Sequence, residues 1–570
     1  MLKKLVIIVS GVLMAINVAA YSESIKVNTV GYRPADDKYV VCDKPCSYFS
    51  VHRKSDGKKV FSNDMKGPVS DSVSGDNCFV GSFSGLKEPG TYYIEIEKNG
   101  KSSEFVIADN IYDSAFEKVM HAFYQQRCGT DIISRTGFEH KACHLNPAEL
   151  HESTGEEGEI DVIGGWHDAG DYGKYTVNSG ISTGTLLLMF ERYKNRLESI
   201  KTGIPASAAI GKLPDVLNEI KWNLDWMLKM QAKNGGVYHK ATPLQFPALN
   251  MMPEDDRNTY FVYEITSTGT ADFAAVMAIA SRVFKEYDAA YADKCLRAAR
   301  DAWKYLEKNT AMVPKEGYKN PSDTKTGQYG DNDDKDERLW AASELFSTTG
   351  EEVYNKFFTA NYKNWDKAID RAASWRDVKE MAMFSYCVSV QPGKSEEACE
   401  SIKKSMAVHC DTLMAKINDS GYRNVMGEED YVWGSNSVAL NYAMNLIVGA
   451  DVLEKQEYKK GALEILGYIF GINPFARSYV TGIGSNYPMN IHHRPTVGDK
   501  NPEPWPGLLA GGPNKRPQDN PLKALPFGTA PARNYADHID SYASNEIAIN
   551  WNAPLAYVLA EFLSNNVVME

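Results

Sequence analysis

The sequence is poor in positive charge. Its 570 residues carry 62 Lys and Arg against 74 Asp and Glu, a formal charge of −12, which argues against nucleic acid or an anionic membrane as partner. A dense disulfide framework is also missing. The nine cysteines, at 42, 46, 78, 128, 143, 295, 387, 399 and 410, are scattered and odd in number, so at least one is a free thiol or a metal thiolate. No heptad is sustained and no repeat of fixed sequence occurs; long irregular loops at 234–268, 309–334 and 472–544 argue further against a regular solenoid. Tryptophan is absent from residues 21–108, so that segment lacks the Cys…Trp…Cys pattern of a true immunoglobulin domain. No stop-transfer pattern follows the N-terminal apolar run. That run, "MLKKLVIIVSGVLMAINVAA", has Lys3 and Lys4 and small residues at Val18 and Ala20. It reads as a secretory signal peptide over 1–20 rather than a retained anchor. With the first cysteine only at 42, a lipid anchor is disfavoured. The expectation is export, to the periplasm or the medium, of a protein without a membrane or nucleic-acid partner.

What the chain holds in quantity is apolar and aromatic residues: 43 % of it is hydrophobic, with 10 Trp, 32 Tyr and 21 Phe. Flat rings fill cores and also stack on sugars. Two periodicities divide the chain. Over 21–108, runs such as "KYVVC", "YFSVHRK" and "TYYIEIEKNG" alternate in the manner of strands, and "SDGKK", "EPG" and "KNGK" supply turns. About seven short strands predict a small all-β sandwich of immunoglobulin-like size. From Ile111 the period becomes helical. In "LPDVLNEIKWNLDWMLKMQ", Val216, Ile220, Leu224 and Met227 recur at steps of three and four. About a dozen such segments, with no strands between them, predict a mainly α domain over 109–570. No Pro/Thr-rich linker separates the halves, so the two domains are expected to pack directly.

The densest chemistry lies in "GGWHDAGDYGKY", Gly164 to Tyr175. Asp168 and Asp171 stand three residues apart at the entry to a helix. Helix capping accounts for one aspartate there, but not for two, nor for the four glycines and the flanking Trp166, Tyr172 and Tyr175. Two carboxylates in one pocket raise at least one pKa, which suits a general base. A second constellation, "NYADHIDSYASNEIAINWNAPLAYVLAEF", places Glu546 at a helix start with Tyr535, Asp537, Asp540 and Tyr542 upstream. A third, "YPMNIHHRPTVGD", sets His492, His493 and Arg494 side by side in a long loop, where binding residues concentrate.

These motifs resemble glycoside hydrolase family nine, cellulases with an N-terminal immunoglobulin-like domain and an (α/α)6 barrel. "DVIGGWHDAGDYGKY", "SYVTGIGSNYPMNIHHRP" and "YADHIDSYASNEIAINWNA" fit that family's aspartate, histidine and glutamate signatures, in its order. The resemblance implies an inverting hydrolase of β-1,4-glucosidic bonds, of endoglucanase type. Asp171 would be the general base, Asp168 would orient the water, and Glu546 would be the general acid. His492 and Arg494 would hydrogen-bond sugar near the cleavage point, and Asp537 would support the site. Trp166, Tyr172, Tyr542 and Trp375 are candidates to contact substrate, although core packing accounts equally well for Tyr542 and Trp375. The same chemistry on xyloglucan, mixed-linkage glucan or short cellodextrins, or action from chain ends, stays open. A noncatalytic glycan-binding protein is the rival from another class. A monomer is expected.

The resemblance also implies metals but no organic cofactor. Cys128, Cys143 and His144 resemble the family's structural zinc ligands, thiolate plus imidazole being the mix tetrahedral zinc prefers, and His151 is taken as the fourth. A Cys128–Cys143 disulfide is the alternative. "YGDNDDKDE" offers Asp331, Asp333, Asp336 and Glu337 as hard oxygen ligands for calcium, with Asp377 as a later one; a solvated acidic loop would look the same.

Overall fold

A computed structural model describes residues 21–133, 137–205 and 213–564. The candidate leader over 1–20 lies outside the described residues.

The N-terminal segment is the expected sandwich. Its strands are β1 (Ile25–Lys26), β2 (Gly31–Tyr32), β3 (Tyr39–Cys42), β4 (Tyr48–Arg53), β5 (Lys59–Asp71), β6 (Asp76–Ser82), β7 (Gly90–Ile96), β8 (Gly100–Lys101) and β9 (Phe105–Ile107). They pair in the order β1-β3-β6-β5-β4-β7-β9-β2, with β8 added to β7. The long strand β5 has no counterpart in the sequence reading. Its side chains are mostly exposed, so no alternation marks it, and Pro68 supplies no N–H where the register shifts between Lys66 and Val69. The first half of β5 pairs with β4 and the second half with β6, which turns one strand into the hinge of the two faces. Phe49, Val51, Phe83, Tyr92, Ile94 and Phe105 fill the core between them.

Among the described residues, twelve helices of ten residues or more follow: α1 (Asp113–Gln125), α2 (Thr176–Arg192), α3 (Asp215–Lys229), α4 (Ser267–Phe284), α5 (Ala289–Lys308), α6 (Lys335–Thr349), α7 (Glu352–Asn361), α8 (Lys379–Val388), α9 (Glu396–Asp419), α10 (Ser435–Val452), α11 (Glu457–Ile469) and α12 (Ile549–Glu561). The even-numbered helices pack side by side into a closed ring, α2 to α4, α6, α8, α10, α12 and back to α2. The odd-numbered helices cover it from outside. This is an (α/α)6 barrel. Composition assigns the layers. Outer helices such as α5 carry one apolar stripe, with Tyr291, Cys295, Ala299, Ala302 and Leu306 buried. The inner helix α4 is buried everywhere except at Arg282, as a helix enclosed on all sides must be. Small residues let the inner helices approach: a Cβ added to Gly184 of α2 would lie 2.7 Å from the Trp340 ring of α6.

Two features depart from the expectation of helices and loops alone. A five-stranded sheet joins Glu159–Ile160, Ala148–Leu150, Phe261–Val262, Lys240–Thr242 and Lys174–Tyr175, and a two-stranded ladder joins Val237–Tyr238 to Ile265–Thr266. These pieces are two or three residues long, too short for a period-2 signal. They tie together the loops at the end of the barrel that carries Asp168 and Asp171.

The sandwich docks on the barrel without a linker. Thr29 N–H and Oγ1 both donate to Phe470 O, at 2.9 and 2.7 Å. Asp76 accepts from Tyr422 and Arg533, at 2.5 and 2.6 Å. Gly471 is required here, since a Cβ would meet Val27 O at 2.4 Å and its φ is +141°. Val41 and Cys78 of the sandwich join the barrel's own apolar core.

Candidate active site

Main-chain contacts bring the three motifs together. Ala169 bridges Ala548, and Ile549 N–H donates to Asp168 O at 2.9 Å. His492 bridges Glu546, with His492 N–H donating to Asn545 O at 2.9 Å. Arg494 closes the triangle by donating from N–H and from Nη1 to Gly170 O, at 3.2 and 2.7 Å. Gly170 has to be glycine, because a Cβ would sit 2.1 Å from His492 O. Residues hundreds of positions apart thus become neighbours through peptide groups.

The two aspartates differ in their partners. Asp168, 1 % exposed, accepts from Tyr329 OH at 2.6 Å and from the Asn178 amide. Burial, then the Asp171 charge, push its pKa up to about 8 against the pull of those two donors. Asp171 accepts from Gly173 N–H and from Tyr175 OH, both at 3.1 Å and both on Oδ2, which leaves Oδ1 for another donor. Glu546 is partly exposed. The protein crowding its carboxyl, then the charge of Asp171, raise its pKa well above the ordinary range, while Arg494 pulls the other way. Chemically, this is an acid that keeps its proton, facing an aspartate with an unfilled oxygen.

Other expected residues take varied places. His492 Nδ1 is 2.6 Å from Ile539 O, and burial lowers its pKa, so the ring stands neutral beside Glu546. Asp537 accepts Met489 and Asn490 N–H, at 3.0 and 2.8 Å, and holds the loop before His492. Arg494 spends Nε on Pro247 O at 3.1 Å and lies against the Phe246 ring. Tyr542 is exposed and packs 5.3 Å from the exposed Trp433 ring, a neighbour that sequence reasoning missed. Trp375 stands edge-on to Tyr329 at 5.0 Å. Trp166 and Tyr172 are corrections. Trp166 is fully buried, with Nε1 donating to Glu219 at 2.8 Å, and no face is left for a sugar. Tyr172 is 1 % exposed, packs between His144 and His167, and donates to Met251 O.

Tyr329 and Asn178 were also missed. Tyr329 lies just ahead of the acidic loop, in the left-handed region at φ +46°. Strained residues of this kind cluster at functional sites, but a sequence carries no φ.

Behind the aspartate loop, Cys128, Cys143, His144 and His167 bring their ligand atoms within 4.8 Å of one another. Contact with Cys143 pulls the Cys128 thiol well below its usual range, helped by the Lys174 ammonium. Asp256 and Tyr260 approach His144 Nε2 at 3.3 and 3.1 Å, outer partners of the kind that orient a metal-binding imidazole. The fourth member is His167, not His151. His151 lies elsewhere, at 3.3 Å from Asp323 and stacked on Tyr263. Nearness in sequence to Cys143 suggested it, whereas the chain reversal at 164–167 supplies the ring that reaches the sulfurs.

The acidic loop splits in two. Asp333 pairs with Lys335 at 2.9 Å and Asp377 with Arg371 at 3.1 Å. Deeper, Asp331 Oδ2 and both oxygens of Glu337 are buried without a hydrogen-bond partner, as are both oxygens of Asp272 from α4. Asp336 accepts Val378 N–H at 2.8 Å. Burial, then the charge of Asp336, raise Glu337 and Asp272 well above the carboxylate range. Asp272 was missed, though a lone acid in the apolar run "TADFAAVMA" is itself a signal.

A separate cavity of about 220 Å³ lies between sandwich and barrel, lined by Tyr32, Tyr39, Tyr112, Arg423 and Phe562. Its charged lining groups pair among themselves, Arg33 with Asp36 at 2.8 Å and Lys460 with Asp37 at 3.0 Å, and none of Asp168, Asp171 and Glu546 lines it.

Against known proteins, residues 112–559 match the family model Glycosyl hydrolase family 9, and residues 20–101 match Cellulase N-terminal ig-like domain. Endoglucanase D of Acetivibrio thermocellus is 36 % identical over 551 residues, covering 96 % of this chain and 84 % of its own length. A cellodextrinase of Butyrivibrio fibrisolvens is 36 % identical over 560 residues, 95 % of this chain and 100 % of its own. The solved structure of a Zn-binding triple mutant of the family 9 endoglucanase J30 superposes with a TM-score of 0.88 at 30 % identity, over 94 % of this chain and 100 % of that one.

Proposed function

The chain belongs to glycosyl hydrolase family 9, and from that premise we propose an exported, inverting hydrolase that cuts β-1,4-glucosidic bonds within cellulose or related β-glucan chains. The observation that carries the reading is Glu546, held by main-chain bridges opposite the Asp168–Asp171 pair. Asp171 Oδ1 accepts a proton from the attacking water. Asp168, held by Tyr329 and Asn178, orients that water. Glu546 protonates the leaving oxygen. Inversion needs acid and base roughly 6.5–9.5 Å apart, with room for water between them. Retained acids, each with its own donors, speak against a noncatalytic binding protein. Endoglucanase D favours attack within chains, and the cellodextrinase, matched over its whole length, favours short oligomers as a second reading.

Cys128, Cys143, His144 and His167 fit tetrahedral zinc, with Asp256 and Tyr260 as outer partners. Such an ion would tie three loops together and neutralise thiolate charge; that a triple mutant of a family 9 relative binds zinc shows that such a barrel accommodates the ion. Calcium suits the oxygens of Glu337 and Asp331 Oδ2, which accept no hydrogen bond, although Asp331 Oδ2 also lies 3.7 Å from Arg376. Both ions would stabilise the barrel end, and no step of bond cleavage passes through them. Export rests on the leader-like residues 1–20.

The test is a time course on carboxymethyl cellulose and cellotetraose, with the product anomer read by NMR. Fresh α-anomer and a fast drop in viscosity are expected. Fresh β-anomer would overturn inversion, and release of reducing ends without a drop in viscosity would overturn attack within chains. Metal analysis should find about one zinc per chain, absent after Cys143→Ser.

A further inference from the structure

Lys240 is fully buried, yet its ammonium bonds to neutral acceptors: Asn320 Oδ1 at 2.7 Å, Gly327 O at 2.8 Å and Thr326 Oγ1 at 3.1 Å. It lies against three tyrosine faces, 4.6 Å from the Tyr263 ring centre, 5.6 Å from Tyr318 and 5.8 Å from Tyr175. A buried cation is costly unless something in the fold uses it. All three acceptors lie in one loop, residues 320–329, and that loop touches Asp168 directly and Asp171 through Tyr175. Gly327 N–H donates to Tyr175 OH at 3.0 Å, so the Tyr175 hydrogen is directed onward to Asp171 Oδ2 at 3.1 Å. Two residues on, Tyr329 OH donates to Asp168. Lys240 is also the strand partner of Tyr175, so backbone and side chain grip the same tyrosine.

We propose that Lys240 is a positioning residue for the hydrolysis: by pinning the 320–329 loop it fixes Tyr175 as a donor to Asp171 Oδ2, reserves Oδ1 for the water, and sets a positive charge behind the base. The proposal rests on the reading of Asp171 as that base. Facing Lys240 are Tyr175, Tyr263 and Tyr318, the neutral His239, and Asp171 beyond Tyr175. Facing Asp171 are Asp168, Glu546, Tyr260 and the His492 ring; Arg494, bonded to Gly170 O, is the cation on the Glu546 side, and Lys240 is the cation on the Tyr175 side. Burial lowers the Lys240 ammonium to about 7, which keeps it charged through the acidic range in which a carboxylate base titrates.

The experiment compares Lys240→Met, Tyr175→Phe, their double variant and Asp171→Asn on cellotetraose from pH 4 to 9. Without the cation or the donated hydrogen, the Asp171 anion is less favoured. The acid limb of kcat/KM should therefore move upward by about half a pH unit or more. The kcat should fall about tenfold or more with KM nearly unchanged, and the double variant should lose little beyond either single one. If kcat falls in Lys240→Met with the limb unmoved, the residue merely supports the fold and the proposal fails. Should Lys240→Met not fold, Tyr175→Phe alone decides, and an unshifted limb there overturns the relay. An inactive Asp171→Asn beside an unaltered Lys240→Met sinks the role of Lys240 only, while an active Asp171→Asn removes the reading beneath it.

Discussion

One end of the barrel holds two groups of crowded acids, and they are handled in opposite ways. Asp168, Asp171 and Glu546 lie where the loops meet, with side-chain or backbone donors on both aspartates and part of Glu546 exposed. Asp272 and Glu337 lie within the helices, fully buried, and offer four oxygens that no donor reaches. Asp168 and Glu546 in the first group, like Asp272 and Glu337 in the second, have raised pKa values, from burial first and like charge second. A raised pKa therefore does not identify catalysis; the partners do. Acids that must exchange protons are given hydrogen-bond donors and a route to solvent. Acids without either need a proton or a cation to be tolerated at all.

The sharpest break of this comparison is a pair of isosteric substitutions. Glu546→Gln should lower hydrolysis about 10²–10⁴-fold and hardly change the melting temperature. Glu337→Gln should do the reverse, lowering the melting temperature and leaving the kcat of the folded enzyme within about threefold, since no general acid or base is lost. Steady-state kinetics beside calorimetry read both, and a large kcat loss in Glu337→Gln would merge the two groups. Next in size is calcium. Adding it to chelator-treated protein should raise the melting temperature by several degrees, about 1–3 kcal/mol for a domain of this size, and Asp272→Asn with Glu337→Gln should abolish the response. If the unsubstituted protein does not respond, the interior pair carries a proton instead.

Smaller, but specific, is the pH profile. Glu546 acts while protonated, and its raised pKa keeps that form present up to a higher pH than an ordinary carboxyl, with loss only above it. The basic limb of kcat/KM should lie well above the pKa of free glutamate for this reason, and a limb at that ordinary value would exclude Glu546 as the acid. The least effect is expected from Tyr542→Ala or Trp433→Ala. Each removes an exposed ring worth about 1 kcal/mol of stacking, so KM on oligosaccharides should rise severalfold at constant kcat.

What the sequence made legible follows from where the information lies. Asp168, Asp171 and Glu546 stand inside contiguous motifs, and the twelve helices each span enough turns for apolar spacing to register, from Ala115, Val119 and Ala122 of α1 to the wholly apolar faces of α12. Strand β5 escaped because its residues face solvent. The two- and three-residue strands at Lys174 and Lys240 are pairings, not patterns. Tyr329, Asn178, Asp272 and Lys240 acquire meaning only from a partner distant in the chain. His167 was within reach, quoted between Trp166 and Asp168, but His151 looked better because a ligand set is imagined locally, whereas folding assembles it across loops.

The peptide bridges Ala169–Ala548 and His492–Glu546 have one more implication. The span that decides whether a sugar's configuration flips is written in the polypeptide itself, beneath every replaceable side chain. Protein engineers could therefore exchange residues outside these bridges, and outside the side chains that hold the aspartates, to suit a new glycan and still obtain the same handedness of product. Reversing that handedness would demand rebuilding the loops.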